Sequence, residues 1–402
     1  MPIDIRNPAP GELHAALRTT EATFGEEPKE EDLERYEKLH ALDRFFAAYD
    51  GSAPVGTAAS IPFELTLPGG GALPAAGVTW VGVLPSHRRR GIMRDLMRRQ
   101  LEDVHERGEP LAVLWASEAA IYGRFGYGIA APSTQMDADR SRFAFRDDPG
   151  PTGAVRLVDR EEAAKLMPPV YEAKRREVPG YTSRSELLWN AFRLADPEHW
   201  RRGAGPKFYA VLEFDGKPVG YALYRIKLDW KDGFPQSQVR LVETCATSAA
   251  AERELWRFLF GIDLVTRIEG RHDPGSPLFL MVVDPRSLLL RVNEGLWLRL
   301  VDLGQALAGR RYAADEPVVM EVRDEFCPWN AGRWRVGPDA ARTDDEAELE
   351  LDVADLASAY LGAFDFSRLA AAQRVRELAP GALQRATGLF RSDRPPYCSE
   401  DF

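Results

Sequence analysis

Apolar and polar positions follow two periods along the first third of the chain. GELHAALRTTEATF and PKEEDLERYEKLH place their apolar residues at helical spacing, so both predict amphipathic helices. Strand signals follow in RFFAAYDG, PVGTAASIPFELTL and AAGVTWVGVL, the first rich in aromatic residues and the other two in β-branched ones. LPGGGALP, between the last two, reads as a glycine-rich hairpin turn and not as a phosphate loop, because no helix follows it. Ile92, Met93, Leu96, Met97, Leu101 and Val104 then return to helical spacing, and that helix ends near Gly108. EPLAVLWAS reads as a buried strand. A helix leaving one central strand, with a second strand beyond it, predicts a mixed α/β domain.

RDDPGPTGAV has the Pro, Gly and Asp content of a boundary, and a similar grammar restarts behind it. EEAAKLMPPVYEAKRR and RSELLWNAFRLA predict helices, and KFYAVLEFDGKPVGYALYRIKL a strand pair turning at DGKP. QVRLVETCATSAAAERELWRFLFGI predicts a strand followed by an amphipathic helix. Past residue 294 the character changes. PVVMEVRDEF, GRWRVGP and AELELDV read as strands, and DLASAYLGAF, FSRLAAAQRVREL and ALQRATGLF as helices. A chain of 402 residues is too long for one ordinary core. Three parts are therefore expected, at 1–147, 148–293 and 294–402.

The charge balance narrows the partners. A formal net charge of -10 and a pI near 5.3 argue against a nucleic-acid or anionic-membrane surface and suit cationic small molecules. The N-terminus lacks a basic stretch followed by an apolar one, and no apolar run approaches the roughly 20 residues of a membrane span, so a cytoplasmic protein is expected. Cys245, Cys327 and Cys398 are too scattered for a disulfide framework or a metal motif, and no metal is expected. HExxH, Walker and GxSxG patterns are absent from the sequence.

Against that acidic background LPSHRRRGIM concentrates positive charge between a strand and a helix. Cations at a helix N-terminus are unfavourable unless an anion joins them; with one, backbone N–H groups, helix dipole and arginines act together. Gly91 lets the backbone approach such a ligand. The alternative is a solvated cluster. The second part carries no arginine-glycine counterpart, so any anion site there is expected to be lost.

Arg88-Arg89-Arg90-Gly91-Ile92-Met93 resembles the acyl-CoA signature of the GCN5-related N-acetyltransferases, with Met93 in place of the final small residue, and IYGRFGYG at 121–128 matches their aromatic segment. VTWVGVLPSHRRRGIMR, WASEAAIYGRFGYG, NEGLWLRLVD and an acidic residue before a terminal Phe402 together resemble the enhanced intracellular survival family of acetyltransferases over nearly the whole chain. The arginine run of that family also lacks the last small residue. The resemblance implies an α/β (α+β) chain: tandem N-acetyltransferase folds, the second without a cofactor motif, then a sterol-carrier-protein-like domain that supplies the C-terminal carboxylate. It also implies acetyl-CoA as co-substrate, aminoglycoside-like amines as acceptors attacked directly in a ternary complex, and a homo-hexamer.

The residues take roles accordingly. The strand backbone at Val81, Gly82 and Val83 faces the pantetheine arm and thioester; Arg88, Arg89, Arg90, Gly91, Ile92, Met93 and Arg94 take the pyrophosphate; Ser117 and Glu118 contact the same cofactor. The resemblance makes Tyr122 the general acid, ahead of Tyr127; a phenol of pKa about 10 holds its proton at neutral pH. None of the six histidines lies in a motif that marks a base, and His87 reads as a turn residue. The family places the base at the α-carboxylate of Phe402, a weak base at its ordinary pKa of about 3.3–3.7 unless buried or acting through water. The other reading of Phe402 is a frayed tail. Glu26, Glu27 and Asp401 are candidates for the cationic acceptor, with Tyr36, Trp80 and Trp115 as aromatic lining and Trp297 as either core or pocket. Lysine acetylation on peptides and a non-catalytic acyl-CoA or lipid carrier are the competing functions.

Overall fold

The computed structural model describes residues 3–402 and contains two compact units. The first comprises the residues up to Ala131 together with Gly295–Pro396 and Glu400–Phe402; the second comprises Pro132–Glu294 and Tyr397–Ser399.

The first unit opens with β1 (Asp4–Arg6), α1 (Leu13–Phe24), α2 (Glu30–Leu39), β2 (Phe45–Asp50), β3 (Ala53–Thr66), β4 (Ala72–Val83), α3 (Ile92–Glu106), β5 (Leu111–Trp115) and α4 (Ala119–Tyr122). The chain continues through β6 (Gly128–Asp139), β7 (Ala154–Val158), α5 (Arg160–Arg175), α6 (Glu186–Leu188), β8 (Phe208–Phe214), β9 (Lys217–Lys227), β10 (Trp230–Lys231), β11 (Phe234–Pro235), β12 (Ser237–Ala246), α7 (Ala249–Gly261), β13 (Val265–His272) and α8 (Leu278–Met281). It ends with β14 (Arg291–Leu300), α9 (Leu303–Gly309), β15 (Val318–Arg323), β16 (Gly332–Val336), β17 (Ala341–Arg342), β18 (Leu349–Asp352), α10 (Val353–Tyr360), α11 (Phe366–Ala371), β19 (Val375–Glu377) and α12 (Ala382–Phe390).

In the first unit β1 to β5 lie in sequence order, and β14, returning from far along the chain, pairs antiparallel with the free side of β5. One face of this sheet packs on α3, through Leu96, Met97, Leu101 and Val104, in a cluster that also holds Val81, Val83 and Tyr122. Leu13, Ala16, Leu17 and Leu33 of α1 and α2 bury a second cluster with Phe45, Ala47 and Ala59. The unit also holds a five-stranded sheet, β17-β16-β15-β18-β19. The second unit orders its strands β6-β13-β12-β9-β8-β7, with β12 and β13 parallel and α7 packed on them.

Two segments depart from the helical reading. RSELLWNAFRLA forms only α6 and a wide π-turn at Trp189–Arg193, which turns both of those side chains into the interior. FSRLAAAQRVREL stops as a helix at Ala371, Gln373 takes a positive φ of 61°, and Val375–Glu377 becomes β19 against β18. Pairing with an open sheet edge outweighs helical propensity there.

Candidate functional site

The site is built on β4. Its antiparallel register with β3 runs Gly56↔Val83 and Thr57↔Gly82, then resumes at Ala59↔Thr79, so Trp80 and Val81 bulge opposite Ala58. Trp80 adopts φ 53°, a left-handed conformation costing roughly 1–2 kcal/mol for a residue with a Cβ. A buried hydroxyl pair holds it there: Thr57 Oγ1 donates to the Trp80 carbonyl at 2.7 Å, and Thr20 and Thr57 share a 2.5 Å hydrogen bond. A Cβ on Gly82 would come within 2.5 Å of Thr23 Oγ1, so α1 rests directly on this part of the strand.

On its other side β4 pairs in parallel with β5 only over Ala75–Gly77 against Leu111–Val113. Among the described residues Val78–Val83 have no ladder partner on that side. Leu114 and Trp115 pair away from β4, with Trp297 and Leu296 of β14. Two parallel strands that part in this way present unpaired backbone groups to an extended, amide-bearing chain.

Beyond Val83 the chain turns through Pro85–His87 into α3. Gly91 sits at the helix N-cap with φ 85° and no side-chain cap, so the first N–H groups of α3, at Ile92, Met93 and Arg94, lack acceptors within the helix. Ile92 is buried, Met93 half-buried against the core, and Arg88, Arg89, Arg90 and Arg94 are exposed. Asp50 approaches His87 at 3.3 Å and Arg90 at 3.8 Å; Arg88, Arg89 and Arg94 have no ion-pair partner among the described residues. Donors, dipole and guanidinium groups together fit a pyrophosphate.

Tyr122 closes α4 and is buried in the same cluster as Val81 and Val83. Burial first, and the nearby Glu118 carboxylate second, push its hydroxyl up to about 12, against a hydrogen bond with exposed Ser117. Tyr127, its ring 6.0 Å away, is sealed: burial drives its hydroxyl higher still, and that hydroxyl has no hydrogen-bond partner among the described residues. Of the two phenols, Tyr122 alone is linked to a surface group.

The last residue is held in place. The Phe402 ring lies 5.0 Å from that of Phe63, and a Cβ on Gly77 would come within 3.2 Å of it. Gly77 is the last β4 residue paired with β5, so the terminal ring sits where the two strands part. Asp401 is exposed.

On the α1–α2 side Tyr36 meets Trp80 edge-on at 4.7 Å. Burial, then the charges of Asp32, Glu21 and, more weakly, Glu26, raises the Tyr36 hydroxyl. Glu21 is itself raised by burial and by Glu26 and Asp32. Glu26, Tyr36 and Trp80 are thus brought together, joined by Glu21 and Asp32, which the sequence reading did not single out. The i, i+4 spacing of Asp32 and Tyr36 on one helix face was the available signal. Glu27 is exposed, and Trp115 is half-buried at the end of β5. Trp297 is buried in the core cluster with Tyr122 and Tyr127. His40, also unmarked in the sequence, packs buried against Trp80 and Phe45.

Known proteins match the chain over most of its length. An acetyltransferase (GNAT) domain model matches residues 4–130, a second GNAT model matches 180–300, and a sterol carrier protein domain model matches 303–399. An uncharacterized N-acetyltransferase of Streptomyces avermitilis is 45% identical over 390 residues, 92% of each chain. N-acetyltransferase Eis of Mycobacterium tuberculosis is 37% identical over 368 residues, 88% of this chain and 87% of that one. The crystal structure of Eis1 from Mycobacterium abscessus superposes with a TM-score of 0.87 at 34% identity, covering 99% of this chain and 100% of that one. The architecture is therefore two GNAT folds followed by a sterol-carrier-like domain.

Proposed function

The chain belongs to the Eis N-acetyltransferases of the GCN5-related superfamily, acetyl-CoA-dependent enzymes, and from that premise we propose that its acceptors are amines of a cationic small molecule, aminoglycosides in the first instance, attacked directly within a ternary complex. The observation that carries this reading is the parting of β4 from β5 beside an uncapped, arginine-rich helix N-terminus, with Tyr122 packed in the same cluster as Val81 and Val83.

When bound, acetyl-CoA supplies an activated acetyl group. Val81, Gly82 and Val83 offer backbone hydrogen bonds to the pantetheine amides and the thioester oxygen. The N–H groups of Ile92, Met93 and Arg94, with Arg88, Arg89 and Arg90, hold the pyrophosphate, and Ser117 and Glu118 border the same arm. The Phe402 carboxylate takes the proton of the attacking amine. Tyr122 Oη gives its proton to the departing sulfur; burial holds that proton in place until negative charge develops nearby. Glu21, Glu26 and Asp401 attract the cationic acceptor, Asp32 being paired with Arg35, and Tyr36, Trp80 and Trp115 offer it aromatic faces.

In this reading residues 1–147 bind acetyl-CoA, 148–293 bind none, and 294–402 deliver the terminal carboxylate. Leu228, Trp230 and Phe234, exposed around the β10–β11 hairpin, support a homo-oligomer, a hexamer by resemblance. No helix among the described residues is long and apolar enough to cross a membrane.

The test is thiol release from acetyl-CoA with aminoglycosides and with lysine peptides, on the intact chain and on one lacking only Phe402. Aminoglycoside turnover is expected, with kcat falling about 100-fold on removal of Phe402, in the range of general-base catalysis. Turnover confined to peptides would reassign the acceptor, full activity without Phe402 would move the base elsewhere, and no turnover on any amine would leave a carrier.

A further inference from the structure

Arg299, on β14, is wholly buried, and its Nη2 meets both oxygens of buried Asp324 at 2.8 and 2.6 Å. That carboxylate is itself fixed. The Cys327 backbone N–H donates to it at 2.9 Å and Asn330 Nδ2 at 3.0 Å, and Asn330 also donates to the carbonyls of Leu300 and Val301. The segment that follows β15 therefore dictates where the guanidinium lies.

The other side of the guanidinium lies against the turn that carries Tyr122. Gly126 has φ 81°, and a Cβ there would come within 2.7 Å of Arg299 Cζ and Nη1. The turn is closed by Gly126 N–H to Gly123 O at 3.0 Å and Tyr127 N–H to Tyr122 O at 3.4 Å. The Tyr127 ring packs on that of Tyr122, the Arg299 charge acts on the Tyr127 hydroxyl, and Phe125 packs on Phe326 at 5.0 Å. The Cys327 thiol also meets the guanidinium, and Cys327, Phe125, Tyr127 and Phe326 all belong to the apolar core cluster. In such surroundings an ion pair is a poor choice for stability, because apolar residues of similar volume serve as well or better. What it provides is a rigid, planar fork whose position is set by its partner.

We propose that Arg299 and Asp324 are a positioning pair for the general acid: through Gly126 and Tyr127 they fix the Tyr122 hydroxyl relative to the parted end of β4. The C-terminal part of the chain thereby acts at both protons of the reaction, supplying the Phe402 carboxylate and setting the place of the acid. This inference rests on the reading of Tyr122 as the acid.

The test replaces both charges at once, Arg299→Met with Asp324→Leu, so that no lone charge is left buried. It is made in the natural chain and in a Tyr122→Phe background, with acetyl-CoA affinity as the check on folding. In the natural chain kcat is expected to fall about tenfold to a hundredfold, the scale of a misplaced catalytic group, while the KM for acetyl-CoA holds. In the Tyr122→Phe background the same replacement is expected to change kcat no further. Arg299→Lys, which keeps the charge and loses the fork, is expected to lower kcat in the same Tyr122-dependent way, and it answers the question should the double variant fail to fold. An unchanged kcat, or an equal fall in both backgrounds, overturns the positioning role while leaving Tyr122 as the acid. A Tyr122→Phe enzyme with full kcat overturns the acid assignment and this inference together.

Discussion

The two GNAT folds use the same central device and finish it differently. In each, a strand runs antiparallel to a hairpin partner on one side and parallel to a neighbour on the other, bulges in its second half, and leads into a helix: β4 into α3, and β12, irregular between Leu241 and Glu243, into α7. At the start of α3 stands Gly91, with no side-chain cap and arginines before it. At the start of α7 stands Ser248, whose hydroxyl accepts from Ala251 N–H at 3.2 Å; each helix has one acid in its first turn, Asp95 and Glu252, so the difference lies in the cap and the arginines. A helix whose first donors are met by its own N-cap side chain has no need of a ligand; one left without that cap beside a run of arginines offers its donors to an anion. The interiors differ likewise. Beside β12 the Glu243 carboxylate is consumed by Arg184 at 2.9 Å and Tyr221 at 3.0 Å, and Tyr397 packs on Tyr181. The same architecture is a receptor in one place and a filled core in the other.

Exchanging phenols for phenyl rings tests that contrast with the largest effect. Tyr122→Phe is expected to lower kcat by about 10²- to 10⁴-fold, the contribution of a positioned general acid, with acetyl-CoA binding retained. Tyr221→Phe, in the second fold, is expected to leave kcat alone and to lower unfolding free energy by roughly 1.5–3 kcal/mol, the loss of a buried hydrogen bond to a charged group. Steady-state rates and denaturant titration of both variants separate the two roles. A catalytic loss from Tyr221→Phe would break the comparison.

The helix starts come next in size. Gly91→Val forces a β-branched residue to φ 85°, a strain of roughly 1–2 kcal/mol that the site relieves by shifting its N–H groups; the KM for acetyl-CoA is expected to rise about tenfold. Ser248→Ala removes a cap and is expected to cost about 1 kcal/mol of stability, with kcat and KM unchanged. A rise in the acetyl-CoA KM from Ser248→Ala would mean that the second helix start also serves the cofactor.

Much of this contrast is written locally and so was legible in the sequence. The arginine-glycine turn, the helical period behind it and the missing counterpart near 248 all lie within short windows. What stayed hidden depends on distance. That β14 pairs with β5, bringing Arg299 to Gly126, cannot be read from GLWLRLVD alone, because the partners lie far apart in sequence and each segment satisfies a strand pattern by itself. The bulge was silent because it is enforced on a tryptophan by Thr20 and Thr57 from two other elements, with no glycine to mark it. Val375–Glu377 looked helical because only the open edge of β18 makes it a strand.

One feature shared by both folds is expected to behave alike in each, and to leave the rate untouched. His40 packs against Trp80 in the first, His272 against Trp256 in the second, and burial lowers them from 6.5 to about 3 and about 4. Above pH 6.5 each is neutral folded or unfolded, and its contribution is complete. As pH falls below that value the unfolded chain takes up protons that the folded rings refuse. Each histidine then removes up to about 1.4 kcal/mol of stability per pH unit, down to its own folded value. Carboxylates contribute to the same acid limb, so the histidine part is isolated by difference. His40→Leu and His272→Leu, measured by denaturant titration at about pH 7 and about pH 5, are each expected to lose less stability on acidification than the natural chain. Neither is expected to change the pH dependence of kcat, since a ring that stays neutral across the working range carries no proton in the reaction. If the His40 variant does move the kcat profile while His272 does not, the imidazole beside the bulged tryptophan belongs to the reaction, and the two folds differ at one more residue.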